Sequence, residues 1–283
     1  MIDENVIYCG DALAFMASLP DECADLIIAD PPYSLPKDRE FGAGAFFDSR
    51  EAWLAWCKQW LIEAKRLLKP RGNLFVYAIH RHACFLQSYL YEIGLEYRRQ
   101  IIWTYENGFS QHQNAPACHY EPIIWFAKSR ESTFHVIREP YKSTERLRHA
   151  ITKNGKVWKP HPAGRQAGDV WCFPTLAGRR FAAERTEHPT QKPLALSRRL
   201  VQHFSDPGNL VVVPFVGSGS ECVAALETGR RFLGSEINPE YVRIARGRIS
   251  AASAQLVDEG PEERLGQDVS TKSVPLPPQD RDV

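Results

Sequence analysis

Residues 30–33 read Asp30-Pro31-Pro32-Tyr33 and close an apolar run, Leu26 to Ala29. A carboxylate at the end of a buried strand projects into the crevice where open α/β sheets hold ligands. The prolines that follow cannot donate backbone hydrogen bonds, so their carbonyls are pure acceptors in a stiff, extended segment. The Asp30 carboxylate and the Pro31 carbonyl therefore form a rigid acceptor pair, with the Tyr33 ring beside them. Two acceptors and an aromatic face suit a planar aromatic amine, such as the NH2 of adenine or cytosine. Holding both amine protons draws the nitrogen lone pair out of conjugation. It also stabilises the positive charge that grows as the nitrogen attacks an electrophile. The bland alternative is that these four residues only turn the chain.

A second stretch, Pro214-Phe215-Val216-Gly217-Ser218-Gly219, follows the apolar run Leu210 to Val213. Its two glycines permit a tight strand-to-helix turn and a close approach of backbone to ligand. Glu236 ends the next apolar run, 236 − 217 = 19 residues later, about the separation at which nucleotide-binding units place a carboxylate on a ribose diol. Cys222 stands where a dinucleotide fingerprint has its third glycine, and no Gly-Lys-Ser/Thr follows. The pattern favours a nucleotide, disfavours a dinucleotide and offers no phosphate cradle.

The elements that must position these residues alternate. Strands are predicted at 5–9 and 24–29, with a short helix between them. A helix over 50–69 carries Trp53, Trp56, Trp60, Leu61, Ala64, Leu67 and Leu68 on one stripe, stopped by Pro70 and Gly72. Strands at 73–79 and 97–106 flank a helix ended by Gly94. Residues 107–190 lose the rhythm apart from a strand at 121–128, and alternation resumes from 192 to 256. There Asn238 and Pro239 open the last helix. Such alternation indicates an α/β fold with a largely parallel sheet.

Composition is that of an ordinary globular protein, 283 residues with 43% hydrophobic and 24% charged. No apolar run reaches a membrane span, and the first residues lack a signal-peptide pattern. The seven cysteines are scattered without a Cys-x-x-Cys pair, and the nine histidines show no metal-ligand spacing. Reduced thiols in a cytoplasm are expected, with no disulfide framework and no metal. The net charge of +1 hides an asymmetry: Lys128 to Arg199 hold sixteen Lys/Arg against six Asp/Glu, a surplus of ten. A basic middle suggests a face for a polyanion. Residues 251–283 hold three against seven, and with their prolines are expected to be disordered.

On the motifs Asp-Pro-Pro-Tyr and Phe-x-Gly-x-Gly the chain resembles the S-adenosylmethionine-dependent DNA amino-methyltransferases. The order of motifs, with a basic insertion between them, is that of their β class. "CGDAL" (9–13), "LLKPRG", "HPTQKPLAL" (188–196) and "EINPEY" are similar to that class as well. The resemblance covers about residues 5–250. It implies a Rossmann-like methyltransferase fold, circularly permuted, with a mostly parallel seven-stranded sheet. The catalytic region would span 1–106, a target-recognition insertion 107–188, and the cofactor region 189–250.

The resemblance also implies roles. Asp30, Pro31, Pro32 and Tyr33 would hold the target base. Pro214, Phe215, Gly217, Ser218 and Gly219 would cradle S-adenosyl-L-methionine, and Glu236 would take its ribose hydroxyls. Asp11 would meet its adenine, and Lys192 its methionine end. Trp103 and Tyr105 are candidates for the other wall of the base pocket. Arg165, Arg179, Arg180 and Arg185 are candidates for double-stranded DNA. Asp at position 30 leans toward adenine N6. Cytosine N4, RNA, protein glutamine and a catalytically dead DNA-binding relative are the alternatives. The family often carries Asp at the position of Val213, and that departure predicts weaker cofactor binding. A homodimer, a cognate restriction endonuclease, and a bacterial or phage origin are further implications.

Overall fold

The computed structural model describes residues 4–33, 47, 49–106, 114 and 116–258. The expected acidic tail beyond Asp258, and residues 107–113 and 115 of the insertion, lie outside them. In chain order the elements begin with β1 (Val6–Cys9), α1 (Ala12–Ser18), β2 (Ala24–Ala29), α2 (Arg50–Leu67), β3 (Leu68–Tyr77) and α3 (His80–Glu92). Next come β4 (Glu96–Thr104), β5 (Tyr120–Ala127), β6 (Arg138–Glu139), β7 (Ile151–Lys153), β8 (Lys156–Trp158), β9 (Arg165–Gln166) and β10 (Val170–Cys172). The chain then forms α4 (Leu194–Phe204), β11 (Leu210–Val213), α5 (Ser220–Glu227), β12 (Arg231–Glu236) and α6 (Pro239–Asp258).

One eight-stranded sheet runs β1-β12-β11-β2-β3-β5-β4-β10. Seven of its strands are those read from the sequence. The eighth, β10, is a three-residue edge strand parallel to β4, too short to show periodicity. The neighbours β1–β12, β12–β11, β11–β2 and β2–β3 are parallel, whereas β5 runs antiparallel to β3 and β4. The two ends of the chain meet in the pairing of Val6–Cys9 with Leu233–Glu236, which is the permutation the motif order implies. Pairing of Val211 and Val212 with Leu26 and Ile27 makes β11 and β2 neighbours. Being parallel, they open their C-terminal ends at the same edge of the sheet, where such sheets bind ligands.

The stripe on α2 is the core face: Trp53, Cys57, Trp60, Leu61, Ala64 and Leu67 are 1% exposed or less. Each large apolar side chain so buried stabilises the fold by about 1.5–3 kcal/mol. Ser49 caps the helix through the Ala52 N–H, and Leu68 turns directly into extended backbone. The strand therefore starts five residues earlier than its apolar run suggests, through Pro70, which extended backbone accommodates. Asp11 caps α1 by accepting from the Ala14 N–H at 2.9 Å. Asn238 does the same for α6 through the Glu240 N–H, and that helix continues to Asp258, so residues 251–258, expected in a disordered tail, are helical instead.

The chain divides into two compact units, one formed by the residues up to Val136 with Gly168–Ser253, the other around Ile137–Ala167. The second is narrower than the inserted segment and holds two small antiparallel ladders, β6–β9 and β7–β8. Flanking stretches of the insertion, including β5 and β10, belong to the main sheet.

Candidate active site

The C-terminal ends of β1, β2, β11 and β12 open onto one cleft. Asp11 follows β1, Asp30 to Tyr33 follow β2, Pro214 to Ser218 follow β11, and Glu236 ends β12; all of them line it. His188 and Lys192, from the segment before α4, line it too. The two stretches singled out in the sequence, 214 − 33 = 181 positions apart, thus share one concave surface.

Asp30 is held from both sides. Tyr33 donates its hydroxyl to Oδ1 at 2.9 Å, and Lys192 Nζ lies 2.8 Å from Oδ2. An ionised carboxylate offers about four lone-pair sites, so acceptor capacity remains on both oxygens. The Pro32 carbonyl accepts from the Trp53 indole at 2.8 Å, tying the proline pair to α2. The structure adds two contacts to the sequence reading. The Tyr33 hydroxyl, not only its ring, orients the Asp30 carboxylate. The Lys192 ammonium, assigned from the resemblance to the methionine end, contacts Asp30.

Lys192 is the hub of a buried charge cluster. It is 4% exposed, 3.7 Å from Glu121 Oε2, and its ammonium lies 4.9 Å from the centre of the Tyr77 ring. Burial alone would lower its pKa, but Asp30 and then Glu121 override it and hold the ammonium above the ordinary lysine value. Glu121 is raised by burial, with Asp30 adding to the shift and Lys192 opposing it. Burial, followed by Asp30 and Glu121, pushes the Tyr33 phenol well up, so Tyr33 stays a donor.

On the cofactor side, Gly217 and Gly219 adopt φ of +52° and +83°, the left-handed region that glycine enters without penalty. A Cβ at Gly217 would come within 2.9 Å of His188 Nε2, and one at Gly219 within 2.9 Å of the Ala245 methyl. Glu236 accepts the Gly217 N–H through one oxygen at 2.9 Å and the Asn238 N–H through the other at 2.8 Å. Arg248 from α6 donates to the Ser218 carbonyl and hydroxyl, and Ser220 donates to the Lys192 carbonyl at 2.8 Å. These bonds link the glycine turn to the backbone of the residue that holds Asp30. Phe215 packs between Trp56 and Trp60 and also lines the cleft. Burial drives the His188 pKa down to about 4, leaving it neutral against the Tyr241 ring.

Val213 is buried at the end of β11 and brings no carboxylate. Glu221, the second residue of the next helix, does line the cleft and accepts from Ser197 Oγ at 3.0 Å. Glu121, Glu221 and Arg248 were not singled out from sequence, and Trp53 was read only as a core residue of its helix. Glu221, two residues past the glycine turn, was the one within reach of motif spacing. The others come from distant elements and carried no local signal.

The residues expected to meet DNA fall on both units. Trp103 is 2% exposed, with its indole N–H on the Phe173 carbonyl, so it supports the site from inside instead of walling it. Tyr105 is half-buried and packs edge-on against Trp103. Arg179, Arg180 and Arg185 are exposed on the main unit, and the Arg180 guanidinium lies over the Phe181 ring. Arg165 belongs to the second unit and pairs with Glu139 at 2.8 Å.

A permuted, mostly parallel sheet with a glycine turn, an acidic strand end and a fixed carboxylate on one cleft is the arrangement of a nucleotide-cofactor transferase of the α/β kind. The chain belongs to the DNA methylase family, whose model matches residues 24–247. It is 32% identical over 254 residues to the type II methyltransferase M1.MboII of Moraxella bovis, covering 87% of this chain and 96% of that protein. It is also 32% identical over 269 residues to the DNA adenine methyltransferase YhdJ of Escherichia coli (strain K12), covering 91% and 86%. The solved M1.HpyAVI–SAM complex superposes with a TM-score of 0.58 at 23% identity, over 86% of this chain and 98% of that one. This last likeness shows the shared fold.

Proposed function

We propose that the chain transfers the methyl group of S-adenosyl-L-methionine to the N6 amino group of adenine in double-stranded DNA. The observation that carries this reading is the Asp30 carboxylate, fixed by Tyr33 and Lys192 on the same cleft as the Gly217 turn and Glu236. The residues fit the cofactor. Glu236 is oriented by two backbone N–H groups and keeps lone pairs for a ribose diol. Gly217 leaves bare backbone where a side chain would crowd His188. Glu221 supplies, in place of Val213, a carboxylate for the cationic methionine end. When bound, the cofactor supplies an electrophilic methyl on a sulfonium.

The chain's own residues do the rest. A base inside a duplex must rotate out, at a cost of roughly a few kcal/mol. Contact with Tyr33 and Tyr105 offsets part of that, about 1–3 kcal/mol for each stacked base. Asp30 and the Pro31 carbonyl accept the two amine protons and hold the nitrogen in line. The amine needs no base beforehand, because it loses its proton only after the nitrogen becomes cationic. Positioning of this kind contributes up to about 7–11 kcal/mol. Asp at position 30 and the adenine-specific relative support adenine over cytosine. The same reading sets the enzyme in the cytoplasm of a bacterial cell, encoded by the cell or its phage; a homodimer and a cognate endonuclease rest on the resemblance alone.

The test is incubation of duplex DNA with labelled cofactor, digestion to nucleosides and mass spectrometry. N6-methyldeoxyadenosine is expected. N4-methyldeoxycytidine would reassign the base, and an unlabelled digest would overturn the activity.

A further inference from the structure

The second unit carries a feature that the amine chemistry does not use. Residues Ile137–Ala167 contain eight Lys/Arg and two Asp/Glu, a surplus of six. Both carboxylates are engaged by arginines, Glu139 by Arg165 at 2.8 Å and Glu145 by Arg148 at 2.6 Å. The hairpin β7–β8 is left with its lysines in no ion pair among the described residues. Asn154 and Gly155 form its turn at φ of +51° and +71°, the two-residue geometry that closes a twisted ribbon.

Register pairs Ile151 with Trp158, Thr152 with Val157 and Lys153 with Lys156. Side chains alternate along a strand, so Ile151, Lys153, Lys156 and Trp158 share one face, and with Asn154 they line a shallow hollow. This face does little for the fold. Like charges directly opposite each other across a ladder are destabilising. Trp158 is 63% exposed and Ile151 49%, so neither buries much.

We propose that this face of the β7–β8 hairpin is a contact surface for duplex DNA, with Lys153 and Lys156 on phosphates and Trp158 against the groove. A phosphate between the two ammonium groups removes the repulsion that the ladder leaves unrelieved. The major groove is wide enough to admit a two-stranded ribbon. A second copy of the chain is the poorer occupant, because the same surplus of positive charge repels it. The proposal rests on the DNA methyltransferase reading and adds the hairpin as its DNA-binding element, in place of Arg165.

The test measures binding of a fluorescent duplex across about 50–200 mM salt, for the native protein, Lys153→Ala/Lys156→Ala and Trp158→Ala. Two lost phosphate contacts lower the slope of log affinity against log salt by about 2. The fourfold rise in salt then costs the double variant roughly tenfold less affinity than the native protein. Trp158→Ala weakens binding several-fold at every salt with the slope retained. Cofactor binding and the thermal unfolding of the main unit stay at native values in both. An unchanged slope in the double variant overturns the hairpin assignment while leaving the enzyme reading intact. A change of oligomeric state in the ultracentrifuge with the slope unchanged overturns it in favour of self-contact. A native protein that binds no DNA at any salt fails the enzyme reading first, and the hairpin with it.

Discussion

Replacing Lys192 by Met removes the ammonium and keeps much of the volume, leaving Asp30 and Glu121 as two carboxylates without their shared cation. At 2.8 Å and an effective dielectric of about 20, the Lys192–Asp30 attraction is about 6 kcal/mol before desolvation. Removing one partner of a buried pair costs about 3–5 kcal/mol. A second route gives an upper limit. The variant relieves the repulsion by protonating one carboxylate, which at pH 7 costs about 1.36 × (7 − 4.3), or about 3.7 kcal/mol, for a glutamate. Lys192→Met should therefore destabilise the protein by about 3–4 kcal/mol at pH 7. The sign with pH follows: the protonated carboxylate has a folded pKa above its unfolded one, so the folded variant holds a proton that the unfolded chain releases. Its stability is highest below about pH 4.3 and falls as pH rises toward the folded pKa. Urea unfolding at several pH values should show the deficit against native protein shrinking by about 1.4 kcal/mol per unit from pH 7 to 5. The double variant Lys192→Met/Glu121→Gln should recover most of it. A deficit independent of pH, or no recovery in the double variant, refutes the electrostatic account of this cluster.

Asp30→Ala leaves Lys192 its second partner, so the fold and DNA binding should survive while methyl transfer falls by at least about 10²-fold, read by incorporation of labelled methyl. Glu221→Gln, which keeps a hydrogen bond and loses its charge, should weaken cofactor binding by about 5–10-fold, the difference of about 1 kcal/mol between a charge-assisted and a neutral hydrogen bond; an unchanged calorimetric titration would show that the Val213 position needs no substitute carboxylate. His188, depressed to about 4 by burial, is charged first in the unfolded chain. Stability should be fully present above about pH 6.5 and decline as pH falls toward 4, and His188→Phe should lose that part of the slope in pH-dependent unfolding.

Which parts were legible in the sequence follows from the range over which each signal acts. The Trp53–Leu67 stripe, the Asn238 cap and the Gly217–Gly219 turn are set by periodicity and by steric rules within a few residues. Those local rules were sufficient to place them. The neighbours β1–β12 and β11–β2 followed from motif order. The eighth strand was not legible, because a three-residue edge strand carries no period. Nor was the place of Trp103: an aromatic on a strand reads alike whether it faces a base or the core.

By itself the sequence determined the α/β class and the two stretches that end strands, since both follow from backbone chemistry over short spans; the permuted order came from the resemblance carried by the order of the motifs. Only the tertiary structure decided what surrounds Asp30. Lys192 reaches Asp30 from 162 residues away, Glu121 reaches Lys192 in turn, and the Trp53 indole fixes the neighbouring Pro32 carbonyl from 21 residues away. Burial and Coulomb attraction act through space without regard to chain distance. The orientation of the Asp30 carboxylate is therefore a property of the fold.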